Sequence, residues 1–299
     1  IQAESELAAI NMVYGAAATG VRVMTSSSSP GISLKQEGIS YIACSEVPCV
    51  VVNMQRGGPG LGDIQPSQGD YFQAVKGGGH GDYHLIVLAP SSVQELVDLT
   101  MDAFDLADKY TNPAMILGDG LLGQMMEAVE FKERPKVELP DKNGWTLTGC
   151  KGREHRYIVS FDLDPNVLER WNIKIFEKYK ELKEKEVRYE AINVENADLV
   201  IVAYGIVARI AKTTIQNAKK EGINIGLIRP ITLFPFPDKV IAETAEKVKK
   251  FLTVEMSMGQ MVEDVKLAVN GKAEVNFYGR AGGIIPSPEE ILEEVKKYL

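Results

Sequence analysis

Cysteine is scarce in this chain: Cys44, Cys49 and Cys150 are the whole supply in 299 residues, and no CxxC pair occurs. Neither a disulfide framework nor a cysteine-ligated iron–sulfur cluster can be built from three such residues. Cys44 and Cys49 read as small core residues in a reducing cytoplasm. An excess of positive charge is missing too, since 33 Lys and Arg face 41 Asp and Glu for a net charge of −8. That balance repels a phosphate backbone or an anionic bilayer, which speaks against nucleic acid and membrane as partners. Long apolar runs are absent: Pro48 to Asn53 and Leu199 to Val202 fall far short of the roughly 20 residues of a spanning helix. There is no short-period repeat and no low-complexity linker. The glycine-rich loop after Asn53 lacks the Gly-Lys-Ser/Thr ending of a P-loop. Its glycines at 57, 58, 60 and 62 also miss the GxGxxG spacing of a dinucleotide fold, so a nicotinamide-linked reading is weakened.

What is present is ample apolar material, 45% of the residues, enough for two α/β cores. From Ser5 to Thr19, Leu7, Ile10, Val13, Tyr14 and Ala17 recur at three- and four-residue steps, which predicts a helix stopped by Gly20. Val21 to Thr25 predicts a strand, the tract Ser26 to Gly31 a strand-to-helix loop, and the stretch up to Ser45 a second helix. Cys49 to Met54 is a continuous apolar strand of the parallel-sheet kind. Leu85 to Leu88, a helix from Ser92 to about Lys109, and Ala114 to Leu117 complete a strand, loop, helix alternation. Between Lys132 and Asn196 the pattern degrades into charge-rich text, read as a crossing segment. Beyond it, strands at 198–203, 223–228, 251–255 and 274–277 alternate with helices near 208–220, 237–250 and 260–269. A last helix opens with a capping box at Ser287, Pro288 and Glu290. Three parts are therefore expected: 1–132, a crossing segment 133–196, and a smaller doubly wound domain 197–299. Ile1 is not Met, and IQAESELAAI already reads as a helix start, so an N-terminal segment is expected to be missing from this numbering.

Two features suggest chemistry. In MQRGGPGLGDIQPSQGDYFQA, backbone free to approach a ligand surrounds one guanidinium, Arg56, at the end of a parallel strand. A small carboxylate is a natural guest for it; the alternative is a tight turn whose arginine meets a surface acid. Glu4 and Glu6 fall in the predicted first turn of the opening helix, where favourable dipole electrostatics alone would account for them.

The runs AESELAAINMVYGAAATGVRVMTSSSSPGISLKQEGIS, PCVVVNMQRGGPGLGDIQPSQGDYFQA and KGGGHGDYHLIVLAP resemble the α subunit of 2-oxoacid:ferredoxin oxidoreductases, above all the 3-methyl-2-oxobutanoate (2-oxoisovalerate) type. The resemblance extends over the whole chain, through the text at 228–237 and VEMSMGQM at 254–261. It implies a thiamine-diphosphate pyrimidine-binding α/β domain followed by a transketolase C-terminal-like domain. A β subunit would share the thiamine diphosphate and hold its diphosphate through Mg2+. Iron–sulfur clusters would sit on partner subunits, among them an iron–sulfur subunit, with ferredoxin as electron acceptor and coenzyme A as acyl acceptor.

By the same resemblance, Glu6 of the Ser5–Glu6 pair would face the cofactor's aminopyrimidine ring and assist proton transfer, leaving Glu4 as a capping residue. Arg56 would hold the substrate carboxylate, and Ser27, Ser28 and Ser29 would line the cofactor. The implied reaction is oxidative decarboxylation of a branched-chain 2-oxoacid, with 2-oxoglutarate or pyruvate types as alternatives and a non-catalytic assembly subunit as a reading from another class. No metal ligand is expected on this chain. His80 in KGGGHGDY has two readings, contact with substrate or partner and a solvent-facing loop residue. Met256, Met258 and Met261 are either core or an adaptable apolar surface. Family members begin with a strand, a Gly-rich helix and a GYPITP-like loop whose threonine approaches the substrate, and nothing of that kind stands before Ile1.

Overall fold

A computed structural model describes residues 1–135 and 137–299. The Ser5 hydroxyl accepts from the Ala8 N–H at 3.2 Å and starts helix α1 (Glu6–Ala18). Glu4 consequently lies ahead of the helix, exposed, rather than in its first turn, and the cap is Ser5. Strand β1 (Met24–Ser28) runs directly into α2 (Ser29–Cys44). The serine tract is therefore not the predicted connecting loop. Ser26 to Ser28 finish the strand, and Ser29 opens the helix with Pro30 in its first turn, where a missing N–H is harmless. There follow β2 (Val50–Gln55), α3 (Tyr71–Val75), β3 (Ile86–Leu88), α4 (Val93–Tyr110) and β4 (Ala114–Asp119).

Among the described residues, 125–164 hold no helix or strand. The charge-rich text behind them contains a 21-residue helix, α5 (Pro165–Lys185), which buries Ile175, Tyr179 and Leu182. Those positions, four and three apart, make a stripe one side chain wide, too narrow to stand out among so many charges. A strand, β5 (Tyr189–Ile192), comes next. The remainder is β6 (Leu199–Val202), α6 (Gly205–Lys220), β7 (Ile225–Pro230), β8 (Thr232–Phe234), α7 (Asp238–Lys247), β9 (Lys250–Glu255), α8 (Met261–Val269), β10 (Glu274–Gly279) and α9 (Pro288–Lys296). The capping box of Ser287 and Glu290 is present at the start of α9. No helix among the described residues is long and apolar enough to cross a membrane.

Two five-stranded sheets result, in the orders β1-β2-β4-β3-β8 and β10-β9-β6-β7-β5. In each, four strands are parallel and the last is antiparallel. The chain leaves the second sheet after β7 and gives β8 to the edge of the first, pairing Val87 with Phe234 and Leu88 with Thr232. One apolar cluster accordingly runs from Ile10, Val51 and Ile116 across to Val202, Ile228 and Phe251 without a break between the sheets.

Charge crosses the same junction. Arg229 of β7, 2% exposed, makes a two-pronged bond to Glu95 of α4, Nη1 to Oε2 at 2.8 Å and Nη2 to Oε1 at 2.9 Å. Its Nε lies 3.1 Å from Glu190 Oε2 but is badly aligned for a hydrogen bond. Burial would raise the Glu95 pKa, yet the bonds from Arg229 and Ser91 hold it below the ordinary value. Removing Glu95 takes both prongs from a buried guanidinium and leaves it only the poorly aligned Glu190 as an acid partner, whereas removing the base leaves a carboxylate that is one-third exposed to water. Glu95→Ala is thus expected to cost about 3–5 kcal/mol in urea unfolding and Arg229→Met less. The opposite order would show that the pair does not carry this junction.

Candidate active site at the tip of the first sheet

In parallel sheets, ligands gather beyond the carboxyl ends of the strands, and here the end of β1 stands between two cavities. The first, about 660 Å3, lies between α1 and the outer face of β1 and is lined by Glu4, Ser5, Glu6, Ser26, Ser27 and Lys35, among others. The second, about 390 Å3, is walled by Ser29, Arg56 and the loop 57–60 on one side and by residues 256–260 on the other.

Glu6 owes its place to Gly31. A methyl group there would stand 2.8 Å from Glu6 Cγ and 2.0 Å from Ser27 Oγ, so only glycine lets α2 come close enough to support the carboxyl group. One turn further along α2, on the same face, is Lys35, 1% exposed. Its ammonium donates to Thr25 Oγ1 at 2.8 Å and to the Ser26 carbonyl at 3.2 Å. Burial pulls the Lys35 pKa down, and the Glu6 charge opposes that pull. No side chain among the described residues forms an ion pair with Glu6, which leaves its carboxyl group available to a ligand.

The Arg56 backbone N–H donates to Ser29 Oγ at 3.1 Å, Nη2 donates to the Leu61 carbonyl at 2.9 Å, and Nη1 reaches Ser28 Oγ only at 3.5 Å. The buried Nε has no partner. The surface acid that would make Arg56 a structural residue is not found among the described residues; the guanidinium keeps capacity for an anion. Its loop folds tightly on itself, Gly57 N–H to the Gln65 carbonyl at 2.8 Å and Asp63 N–H to the Gly57 carbonyl at 2.9 Å. At Gly62 (φ +60°) a Cβ would stand 1.7 Å from the Gly57 carbonyl oxygen.

Ser27, Ser28 and Ser29 are divided in their surroundings: Ser27 lines the Glu6 cavity, Ser28 touches the Arg56 guanidinium, and Ser29 lines the second cavity. His80 is exposed on the loop after α3 and lines neither cavity. His84 is half-buried, stacked on Phe234 at 4.2 Å where β8 joins the first sheet, with its pKa lowered by desolvation. Sequence reasoning missed Lys35, whose one visible sign was a lysine within the apolar stripe Ile32, Ile39 and Ile42. It also missed Asp70, which accepts from the Ser29 hydroxyl and from Asn53 Nδ2.

The second sheet meets this site through a polar seam. Gln68, 1% exposed, exchanges backbone and side-chain bonds with Met256 and donates to the Tyr204 carbonyl at 3.0 Å. Nearby, Asp119 at the end of β4 accepts from the Leu121 and Leu122 N–H groups, both at 3.0 Å. Burial nevertheless pushes its pKa up to about 6. Glu255, fully buried at the end of β9, accepts from the N–H groups that open α8 and is likewise raised by burial.

Residues 1–149 match the family described as pyruvate flavodoxin/ferredoxin oxidoreductase, thiamine diP-binding, and residues 197–291 match pyruvate:ferredoxin oxidoreductase core domain II. The chain is 54% identical over 297 residues to a ketoisovalerate oxidoreductase subunit VorB of Methanothermobacter marburgensis, covering 99% of this chain and 84% of that one. It belongs to the 2-oxoacid:ferredoxin oxidoreductase family. A 2-oxoglutarate synthase subunit KorA of Methanocaldococcus jannaschii is 36% identical, over 97% of this chain and 85% of that one. Among solved structures, the 2-oxoglutarate:ferredoxin oxidoreductase of Magnetococcus marinus, with 2-oxoglutarate, coenzyme A and succinyl-CoA bound, superposes with a TM-score of 0.81 at 26% identity. This chain, 99% covered, spans 56% of that one. A split-gene transketolase shares the fold alone, at a TM-score of 0.60 and 14% identity, over 98% of this chain and 81% of that one. The expected architecture, a thiamine-diphosphate-type domain followed by a transketolase C-terminal-like one, is the one found.

In this member of the 2-oxoacid:ferredoxin oxidoreductase family the seam has a pH signature. A carboxyl group whose pKa is raised on folding stabilises the fold below its unfolded value and loses that contribution as pH rises through the folded value. For Asp119 the window runs from its ordinary 3.8 to about 6. Asp119→Asn keeps an acceptor for Leu121 and Leu122 but carries no charge. It should match the parent near pH 4 and exceed it by up to about 3 kcal/mol above pH 7. Urea unfolding across that range is the measurement, and parallel curves for the two proteins would remove Asp119 as the source.

Proposed function

We propose that this chain is the α subunit of a thiamine-diphosphate-dependent enzyme that oxidatively decarboxylates a branched-chain 2-oxoacid to its acyl-CoA. The observation that carries this reading is the pairing of an unengaged carboxyl group, Glu6, with an anion-ready guanidinium, Arg56, on either side of one serine tract. They stand in a chain 54% identical to a ketoisovalerate oxidoreductase subunit. In the net reaction the bond between the carbonyl carbon and the carboxylate breaks, carbon dioxide leaves, and the acyl group is joined to the coenzyme A sulfur with release of the thiol proton. Two electrons pass singly to ferredoxin through iron–sulfur clusters assigned to partner subunits.

The residues present fit the pyrimidine half of the cofactor. Gly31 leaves the space that lets Glu6 stand free beside Ser27, and a carboxyl group so placed can exchange a proton with a ring nitrogen. When bound, thiamine diphosphate supplies the acidic carbon and the electron sink that decarboxylation of a 2-oxoacid requires. The diphosphate and its Mg2+ are assigned to the β subunit. Arg56 orients the substrate by its carboxylate, and its planar fork can grip both oxygens once the weak contact to Ser28 is given up.

Two measurements on the assembled αβ complex test these roles. Glu6→Gln preserves shape but cannot move a proton, so C2 proton exchange of bound thiamine diphosphate should slow by roughly 10² or more while the cofactor still binds. Glu4→Gln, altering an exposed residue ahead of the helix, should leave exchange within about two-fold. Equal rates in Glu6→Gln and the parent would withdraw the catalytic assignment. Arg56→Lys keeps the charge and loses the fork; an increase in KM of about tenfold or more is expected for any 2-oxoacid, and unchanged kinetics would remove Arg56 from the substrate.

A further inference from the structure

The cavity beside Arg56 is built from two units, and the half contributed by the second sheet has no role in the reading so far. Among the described residues that line it, the charged side chains are Arg56 and Asp70. The Asp70 carboxylate is held in place by the Ser29 hydroxyl and the Asn53 amide. A ligand with one carboxylate finds its partner in Arg56. A ligand with two finds no cation for the second, and meets the field of Asp70 besides.

The opposite wall carries Met256, Met258 and Ala281 beside two polar residues whose side chains are already engaged, Ser257 with Glu255 and the Gly259 N–H, and Gln260 with the Gly69 carbonyl and the Phe72 N–H. Met256, 1% exposed, is fixed by both of its backbone groups to Gln68. Two residues on, Met258 is 82% exposed and lines the cavity mouth. Pro59, on the Arg56 side, faces the same space. An unbranched thioether chain adapts to compact aliphatic groups of varied shape, and an exposed methionine beside a rigidly held one provides a fixed wall with a movable rim.

We propose that Met258, backed by Met256, is a specificity-determining residue: it receives the side chain of the 2-oxoacid and favours short aliphatic monocarboxylates over dicarboxylates. This rests on the assignment of Arg56 to the substrate carboxylate, and the test separates the two. In the assembled complex, kcat/KM for 3-methyl-2-oxobutanoate and for 2-oxoglutarate is measured by acceptor reduction. The proteins compared are the parent and the variants Met258→Lys, Met258→Leu and Arg56→Lys. Because Met258 is so exposed, its variants are expected to fold. Met258→Lys should raise the ratio of 2-oxoglutarate to 3-methyl-2-oxobutanoate by about tenfold or more, and Met258→Leu should keep it within about two-fold. A ratio that stays within about two-fold in Met258→Lys overturns the proposal, whether both rates hold or fall together. If Met258→Lys fails while Arg56→Lys still raises KM for both acids, only the side-chain assignment is lost. If Arg56→Lys leaves both acids unaffected, the substrate site itself is misplaced, and the proposal goes with it.

Discussion

Gln68 is the fixed point to which the rest of the site is referred. Its backbone N–H donates to the Met256 carbonyl at 2.8 Å and its side-chain oxygen accepts from the Met256 N–H at 3.1 Å. Its side-chain nitrogen donates to the Tyr204 carbonyl at 3.0 Å, and its own carbonyl is approached by the Tyr204 hydroxyl at 3.4 Å. A glutamine side chain carries the donor and acceptor of a peptide group, so this one residue behaves like a short strand lying across two sheets. All four of its polar groups are spent on the second unit, in a place without water to replace them. Any shift of one sheet against the other would leave several buried groups unpaired at once, each at about 1–3 kcal/mol. Close by, Gln260 bonds the Gly69 carbonyl at 2.7 Å and the Phe72 N–H at 2.8 Å, holding the same loop from its far end.

The acids of the seam follow from this geometry. Asp119 and Glu255 occupy the carboxyl ends of β4 and β9, where helix or turn N–H groups converge. Those donors favour the charged forms, yet burial outweighs them in both residues. Both acids therefore hold a proton more readily than a free carboxyl group does. Apolar residues there would avoid the burial of charge, but they would leave the N–H groups of Leu121, Leu122, Met261 and Val262 without their acceptors. Rigid helix starts on one side and a self-bonded glycine loop on the other let Arg56 present a guanidinium in a defined place.

Much of this was legible beforehand, for physical reasons. Strands buried on both faces announce themselves as continuous apolar text, and Val50 to Val52 and Leu199 to Val202 lie fully within such runs. The capping box before α9 is a local signal and held locally. Failures came where a tertiary partner decides. Ser26 to Ser28 have loop composition but pair in register with Val52, Asn53 and Met54, whose ladder makes strand of them. Only three residues long, β8 is defined by an edge that lies far away in sequence. Lys35 passed unnoticed because its two acceptors, in Thr25 and Ser26, belong to the preceding strand, against which the helix packs. At the site, Arg56 was named from its glycine-rich loop at a strand end and Glu6 from resemblance, while the parts that hold them, Gly31, Asp70 and Gln68, are visible only in three dimensions.

The crossing of β8 also sets an order on synthesis. A chain emerging from its N-terminus completes β1 to β4 early, but the outer edge of β3 has no partner until Thr232 to Phe234 are made, long after. In between, Ile86, Val87 and Leu88 form an apolar strand edge open to other chains. The first sheet is therefore finished only after most of the second has been made, and a nascent chain cut short before residue 234 would keep a sticky edge however well its own half had folded.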